Sequence, residues 1–339
     1  MVIGETSRAA NWSIYGYNRN TNPELTKIKG LTAFSHVLTE SNTTHKSVPM
    51  LMSSVTAHDF NSIYRQKGII TAFKEAGYRT AFFSNQRYNH SFIDFFGKEA
   101  DICDFIKEDT GDGGYNPSDD ELLKLVATEL AENASKQFIV LHTYGSHFNY
   151  RERYPADNAF FLPDFPVDAE LKYKDNLINA YDNSIRYTDN FLARLIRMLQ
   201  EQDIDAAMLY TSDHGEDIFD DDRHLFLHAS PVPSYYQIHV PFLIWMSDNY
   251  RKNYPDLFKN AEINRQKNIS SSASFFQTML ELGGIDTPSR NDSLSVINAS
   301  YTEKNRVYLN DHNEARSLND IGMREEDFTM LQMKGIVYR

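Results

Sequence analysis

Carboxylate, imidazole and hydroxyl side chains recur in this 339-residue chain where short apolar runs stop. Val2-Ile3-Gly4 runs into Glu5. Ala206-Ala207-Met208-Leu209-Tyr210-Thr211 runs into Ser212-Asp213-His214-Gly215-Glu216. Gln137-Phe138-Ile139-Val140-Leu141 runs into His142-Thr143-Tyr144-Gly145-Ser146-His147, and a later loop carries His224 and His228. An Asp and a His side by side in a sharp turn can both face one ion, and the pair is an ordinary zinc or manganese donor set. Gly215 is expected to let the backbone turn tightly. The plainer reading has Asp213 capping the next helix with His214 on the surface. Glu5 divides the same way, between holding an ion and capping a turn. Ser41-Asn42-Thr43-Thr44-His45-Lys46-Ser47 places several hydroxyls before a helix start. Backbone N–H groups and the helix dipole attract a phosphate there; the same hydroxyls also serve as simple N-caps. His36, His58, His90, His239 and His312 lack such surroundings and read as structural or surface residues.

The elements that must position these groups alternate between strand and helix. Strands are predicted at Val37-Leu38, 79–84, 101–106, 137–142, 206–211 and 239–245. Helices are predicted from Ser47 with Pro49 in the first turn, over 68–76, from the Asn116-Pro117-Ser118 cap to about Ala134, and over about 171–202. Residues 151–168, rich in Pro and aromatics, read as an ordered surface loop, and 330–338 as a terminal hairpin or strand. Alternation of this kind predicts a three-layer α/β/α sandwich around a mostly parallel sheet. Active sites of such sheets form at the carboxyl ends of strands, where the residues above fall. One domain over 1–339 is expected, with about 300–339 as a smaller appended part.

Composition narrows the partners. With 34 Lys+Arg against 47 Asp+Glu the net charge is −13, which excludes a nucleic-acid binder relying on basic surface. Hydrophobic residues at 41% and aromatics at 13% exclude a disordered chain. The single cysteine, Cys103, leaves no internal disulfide. No apolar run is long enough to span a bilayer. The chain opens inside what reads as a buried strand, so further sequence is expected upstream of Met1.

A set of blocks then narrows the family. Glu5-Thr6-Ser7-Arg8-Ala9-Ala10-Asn11 and Tyr15-Gly16-Tyr17-Asn18-Arg19-Asn20-Thr21-Asn22-Pro23 are followed by Thr44 with Pro49 five residues on. Further blocks are His142 to His147, Arg153-Tyr154-Pro155, Tyr181-Asp182-Asn183, Ser212 to Glu216, Leu227-His228 and His239-Val240-Pro241-Phe242. In this order they closely resemble the bacterial phosphoethanolamine transferases, membrane-anchored relatives of alkaline phosphatase and the sulfatases that include the lipid A modifying enzymes behind polymyxin resistance. The chain departs from that family's lipid A enzymes in lacking disulfides, in lacking cysteines around Thr44, and in carrying Phe148-Asn149 where Gly-Pro is common.

The resemblance implies an alkaline phosphatase/sulfatase-like fold and a zinc ion held by Glu5, Thr44, Asp213 and His214. Zinc would acidify the Thr44 hydroxyl, making Thr44 the nucleophile. Phosphoethanolamine would pass from phosphatidylethanolamine to Thr44, then to lipid A or another glycan. His147 and His228 are the expected phosphoryl donors and leaving-group acids, or ligands of a second zinc. Asn85 is expected to touch the phosphoryl group or the ethanolamine, and Glu216 to orient His214. The resemblance also implies membrane helices upstream of Met1 and a setting in the inner membrane, with a monomeric catalytic domain facing the periplasm. A phosphodiesterase, a phosphoglycerol transferase or a sulfatase-like hydrolase would use the same scaffold. The Cys103-Asp104-Phe105-Ile106 stretch lacks the motif of a formylglycine sulfatase. A non-catalytic binding domain would be expected to have lost a ligand or the nucleophile.

Overall fold

The computed structural model describes residues 1–107 and 116–338. Seven strands form the central sheet: β1 (Val2–Gly4), β2 (Leu31–Phe34), β3 (Arg79–Ser84), β4 (Ile102–Phe105), β5 (Gln137–His142), β6 (Ala207–Ser212) and β7 (Phe242–Met246). Their order across the sheet is β2-β7-β6-β1-β5-β3-β4. β1 pairs in parallel with both β5 and β6, β3 in parallel with both β5 and β4, while β7 runs antiparallel to β6 and β2.

Alternation along each strand divides the apolar residues between two cores. Ile3, Phe82, Phe138, Val140, Leu209, Phe242 and Ile244 face one, with the helices Thr44–Met52, Ile69–Glu75 and Ser271–Leu282 laid over them. Val2, Ala81, Phe83, Leu141, Met208, Tyr210, Leu243 and Trp245 face the other, under the helices Asp120–Ala131 and Lys174–Gln200. Sheet residues buried on both sides account for the continuous apolar runs in the sequence, and the three-layer expectation holds.

Two local expectations need correction. The segment 330–338 is no hairpin: a helix runs Glu325–Met333, and Val307–Leu309 pairs instead with Ala315–Ser317. Met330, Leu331, Gln332 and Met333, none of them β-branched, favour the helix, and Asp327 caps it by accepting the Arg324 N–H at 3.2 Å. Leu331 and Ile336 then close a third, smaller cluster with Leu38, Tyr235 and Ile238. The helix expected at Ser47 begins at Thr44, so Pro49 lies in its second turn.

Glu40, on the approach to this helix, is buried and accepts the Ala57 N–H at 3.0 Å. Burial pushes its carboxyl from 4.5 up to about 7. The folded state therefore holds the proton more tightly than the unfolded chain, and stability falls as pH rises from about 4.5 to about 7. Glu40→Gln keeps an acceptor oxygen without the charge. It is expected to gain on the order of 2–3 kcal/mol at pH 8 and little at pH 4. Denaturant titration at both pH values checks this; an equal effect at both would contradict it.

Candidate metal centre and active site

The carboxyl ends of β1, β6, β5 and β3 converge at one edge of the sheet. Glu5 follows β1, Asp213 and His214 follow β6, His147 lies five residues beyond β5, and Gln86 two beyond β3. Backbone bonds lock these ends together: Asp213 N–H donates to Gly4 O at 3.0 Å, and Ser146 N–H to Glu5 O at 3.0 Å. Thr44 arrives from across the edge as the first residue of its helix. Thr43 occupies the N-cap without a side-chain cap bond.

Glu5, Asp213 and His214 are fully buried, and their ligand atoms lie within 4.8 Å of one another. Asp213 Oδ1 accepts the Thr6 and His214 N–H groups at 3.1 and 2.8 Å, whereas Oδ2 has no hydrogen-bond partner. Glu5 Oε1 accepts the Thr6 hydroxyl at 2.7 Å. His214 Nδ1 sits 2.9 Å from Gly215 O, which assigns the proton to Nδ1 and leaves the Nε2 lone pair facing the cluster. From Nε2 it is 3.3 Å to Asp213 Oδ2 and 3.6 Å to Glu5 Oε1. Thr44 Oγ1 completes the group, 3.1 Å from His214 Nε2 and 3.2 Å from Glu5 Oε1.

The electrostatics ask for a cation. Burial, and then the nearby Asp213 charge, hold the Glu5 carboxyl well above its ordinary range. Burial likewise raises Asp213 to about 6 and drives His214 far below its usual value. Two buried carboxylates with an aimed neutral imidazole and an orphaned Asp213 oxygen are what a divalent ion of zinc character binds. Among the described residues this is the one such cluster.

His147 and His228 border it. The His228 ring lies 4.2 Å from that of His214 and 6.1 Å from that of His147. Glu216 Oε2 stands 3.6 Å from His228 Nδ1, an ion-pair rather than a hydrogen-bond distance. Burial opposes charge on His228, but Glu216 outweighs it and raises the pKa. Burial lowers His147 to about 4; its Nδ1 lies 2.5 Å from Phe148 O, and Tyr144 stacks on its ring. Thr44, His142, Tyr144, His147, Gln86 and Lys107 line a pocket of about 310 Å³ beside the cluster. A cavity of about 910 Å³ lies by Met1 and Val2 at the far end of the strands, away from this chemistry.

Three residue roles come out differently from the sequence. Asn85 is turned inward: its amide donates to Asp119 Oδ1 at 2.8 Å and to Pro117 O at 3.0 Å. The next residue, Gln86, reaches the site, donating to Glu5 Oε2 at 3.3 Å. Glu216 faces His228 rather than His214, whose Nδ1 is already taken by Gly215 O. Gly215 serves close approach, since a Cβ there would lie 2.2 Å from Tyr236 O. Asp119, which sequence reading passed over, accepts the Tyr144 and Gly145 N–H groups at 2.8 and 2.9 Å and so shapes the loop to His147. Nothing in its sequence surroundings sets it apart from the neighbouring acidic residues.

Comparison with known proteins bears on this arrangement. A family model described as Sulfatase matches residues 1–285. The chain belongs to the sulfatase family. The Kdo(2)-lipid A phosphoethanolamine 7''-transferase of Escherichia coli K12 is 31% identical over 79% of the chain and 47% of that protein. In structure, this sulfatase-family chain is similar to the C-terminal periplasmic domain of EcEptC from Escherichia coli, crystallised in complex with Zn. The TM-score is 0.85 at 24% identity, covering 95% of this chain and 92% of that one. It is also similar to the integral membrane lipooligosaccharide phosphoethanolamine transferase A of Neisseria meningitidis. There the TM-score is 0.77 at 26% identity, covering 87% and 56% of the two chains. The chain spans about half the length of the curated relatives it matches. No helix among the described residues is long and apolar enough to cross a membrane.

Gly145 offers a test of how tightly the sulfatase-family site is built. It adopts φ +51°, and a Cβ there would lie 2.6 Å from Glu5 O and 2.9 Å from Glu5 N. Gly145→Ala is expected to push Glu5 off the cluster and lower turnover by roughly tenfold or more. Steady-state kinetics with metal analysis checks this; unchanged kcat and metal content would contradict it.

Proposed function

We propose that this domain is a zinc-dependent phosphoethanolamine transferase that moves phosphoethanolamine from phosphatidylethanolamine to lipid A or another glycan through a phosphothreonine at Thr44. One observation carries the reading: a helix-terminal threonine hydroxyl lies within 3.4 Å of both Glu5 oxygens and of His214 Nε2, in a pocket. A half-buried threonine that caps nothing and faces the Glu5 carboxylate and the His214 imidazole is poorly explained as structure. The relatives named as phosphoethanolamine transferases support the group transferred.

Glu5, Asp213, His214 and Thr44 would hold the zinc, with His147 and His228 in reach of a second. Bound zinc would neutralise the two carboxylates and acidify the Thr44 hydroxyl. Thr44 Oγ1, its proton released to solvent, attacks phosphorus in line, the bond to the diacylglycerol oxygen breaks, and an imidazolium supplies that oxygen with its proton. His228, whose pKa Glu216 raises, suits this donor role. His147 offers Nε2 to the proton of the incoming acceptor hydroxyl. The acceptor oxygen then forms its bond to phosphorus as Thr44 Oγ1 leaves. N–H groups at the start of the Thr44 helix favour the phosphoryl charge in both steps. Gln86 holds Glu5 in place throughout.

The proposal places the domain on the periplasmic side of the inner membrane, as a monomer with one domain. Incubation with phosphatidylethanolamine and lipid A tests it. The expected products are diacylglycerol and phosphoethanolamine-bearing lipid A. Diacylglycerol with free phosphoethanolamine and an unmodified acceptor would show a hydrolase instead.

A further inference from the structure

The residues after Val307 add no strand to the central sheet, yet they tie together the two loops on which the proposed chemistry depends. Three hydrogen bonds join the hairpin of Val307–Leu309 and Ala315–Ser317 to the segment around Thr44. Leu309 N–H donates to Glu40 O at 2.7 Å, the Tyr308 hydroxyl to Asn42 Oδ1 at 2.6 Å, and Lys46 Nζ to Asn310 O at 2.8 Å. From the helix Glu325–Met333, Asp327 accepts the Tyr235 N–H at 2.9 Å and the two Nη atoms of Arg223 at 2.7 and 2.9 Å. Arg223 and Tyr235 flank the loop that carries His228.

Asn42 joins the two ties. Its amide donates to Ser230 O at 2.9 Å and to Gln237 Oε1. Gln237 O in turn accepts the N–H of Gly215, next to His214, at 2.8 Å. Asn42, Gln237, Tyr308 and Asp327 are all buried. One connected set of bonds therefore runs from the nucleophile segment to the His228 loop and to the turn that holds Asp213 and His214. Local capping does not fix the start of the Thr44 helix, which has no side-chain cap bond. The His228 loop carries strain: Leu227 and Ala229, on either side of His228, have φ of +70° and +62°. Non-glycine residues keep that conformation where their surroundings over-determine it. The bonds of Asn42 and Asp327 to this loop supply that constraint.

We propose that the C-terminal hairpin and helix form a bracket that sets Thr44 against His228, with Tyr308 as a positioning residue for phosphoryl transfer. The assignment rests on the proposed reading that Thr44 attacks phosphorus while His228 protonates the leaving oxygen. A bond that holds both partners acts on their alignment, to which the rate of transfer is far more sensitive than donor affinity is.

Steady-state kinetics and amide hydrogen exchange of Tyr308→Phe test this. The substitution removes the hydroxyl and leaves the ring among Leu38, Tyr235 and Leu331. It is expected to lower kcat on the order of tenfold while KM for phosphatidylethanolamine stays within about twofold. It is also expected to speed exchange over 40–47 and 223–232 but not in β5 or β6. Tyr301→Phe, which removes the hydroxyl of another buried tyrosine, bonded to Asn268 O at 2.7 Å, is expected to keep kcat. If Tyr308→Phe melts early, Asp327→Asn carries the same kinetic and exchange test from the other end of the bracket. Unchanged kcat, or equal losses in Tyr308→Phe and Tyr301→Phe, would overturn the bracket. If the unaltered chain turns over no donor, the proposed function fails and exchange decides alone: faster exchange in both loops supports the bracket, and unchanged exchange overturns it.

Discussion

Thr44→Ala is expected to abolish turnover, by roughly 10⁴-fold or more, while leaving the fold in place. The size follows from the geometry. Thr44 Oγ1 meets Glu5 and His214 at the pocket edge, and Thr6, the other hydroxyl on Glu5, is fully buried. Without the Thr44 oxygen the donor phosphorus has no protein partner for a covalent step. The fold is expected to survive because the helix Thr44–Met52 takes no side-chain cap from its threonines, and its apolar face packs on the core through Val48, Met50, Leu51 and Met52. Thermal melting and donor-labelled protein after acid quench check both halves. An alanine variant that still acquires label would remove Thr44 as the nucleophile.

The second large effect concerns the ion. Asp213→Asn keeps Oδ1 as acceptor for the Thr6 and His214 N–H groups, so the turn is retained while one charge is lost. His214→Ala removes the aimed Nε2. Both variants are expected to lose zinc affinity by about 100-fold or more, and turnover with it. Stripping zinc from the unaltered protein leaves Glu5 and Asp213 buried together without a countercharge, so chelation should lower its melting temperature. Asp213→Asn, with that repulsion already removed, should respond less to the chelator. Elemental analysis and melting curves with and without chelator measure these differences. Unchanged zinc content in both variants would reject the ligand set.

Much of this arrangement is legible in the sequence, for a physical reason. Strands buried on both faces are written as continuous apolar runs, and in such sheets polar residues at the carboxyl ends of strands are where chemistry collects. Glu5, Asp213, His214 and His147 could be picked out on that ground, and the structure gathers them. Thr44 needed the family resemblance, because the hydroxyls from Ser41 to Ser47 look alike as helix caps. What stayed hidden depends on direction and facing. An apolar run does not say which way its strand points, so the reversal of β7 was invisible. The short edge strand Leu31–Phe34 went unmarked. Asn85 and Gln86 are adjacent amides at one strand end, and only the pleat decides that Gln86 faces Glu5. Glu216 could have served either neighbouring histidine until the Gly215 carbonyl was seen to occupy His214.

The central claim is the proposed covalent phosphoryl-enzyme at Thr44, beside the Glu5, Asp213 and His214 cluster. Tandem mass spectrometry of zinc-loaded protein, acid-quenched during turnover of phosphatidylethanolamine, tests it most directly. The expected spectrum places phosphoethanolamine on the peptide containing Thr44, with fragmentation assigning it to that residue. Sustained turnover with the group on another residue, or on none, would contradict the account.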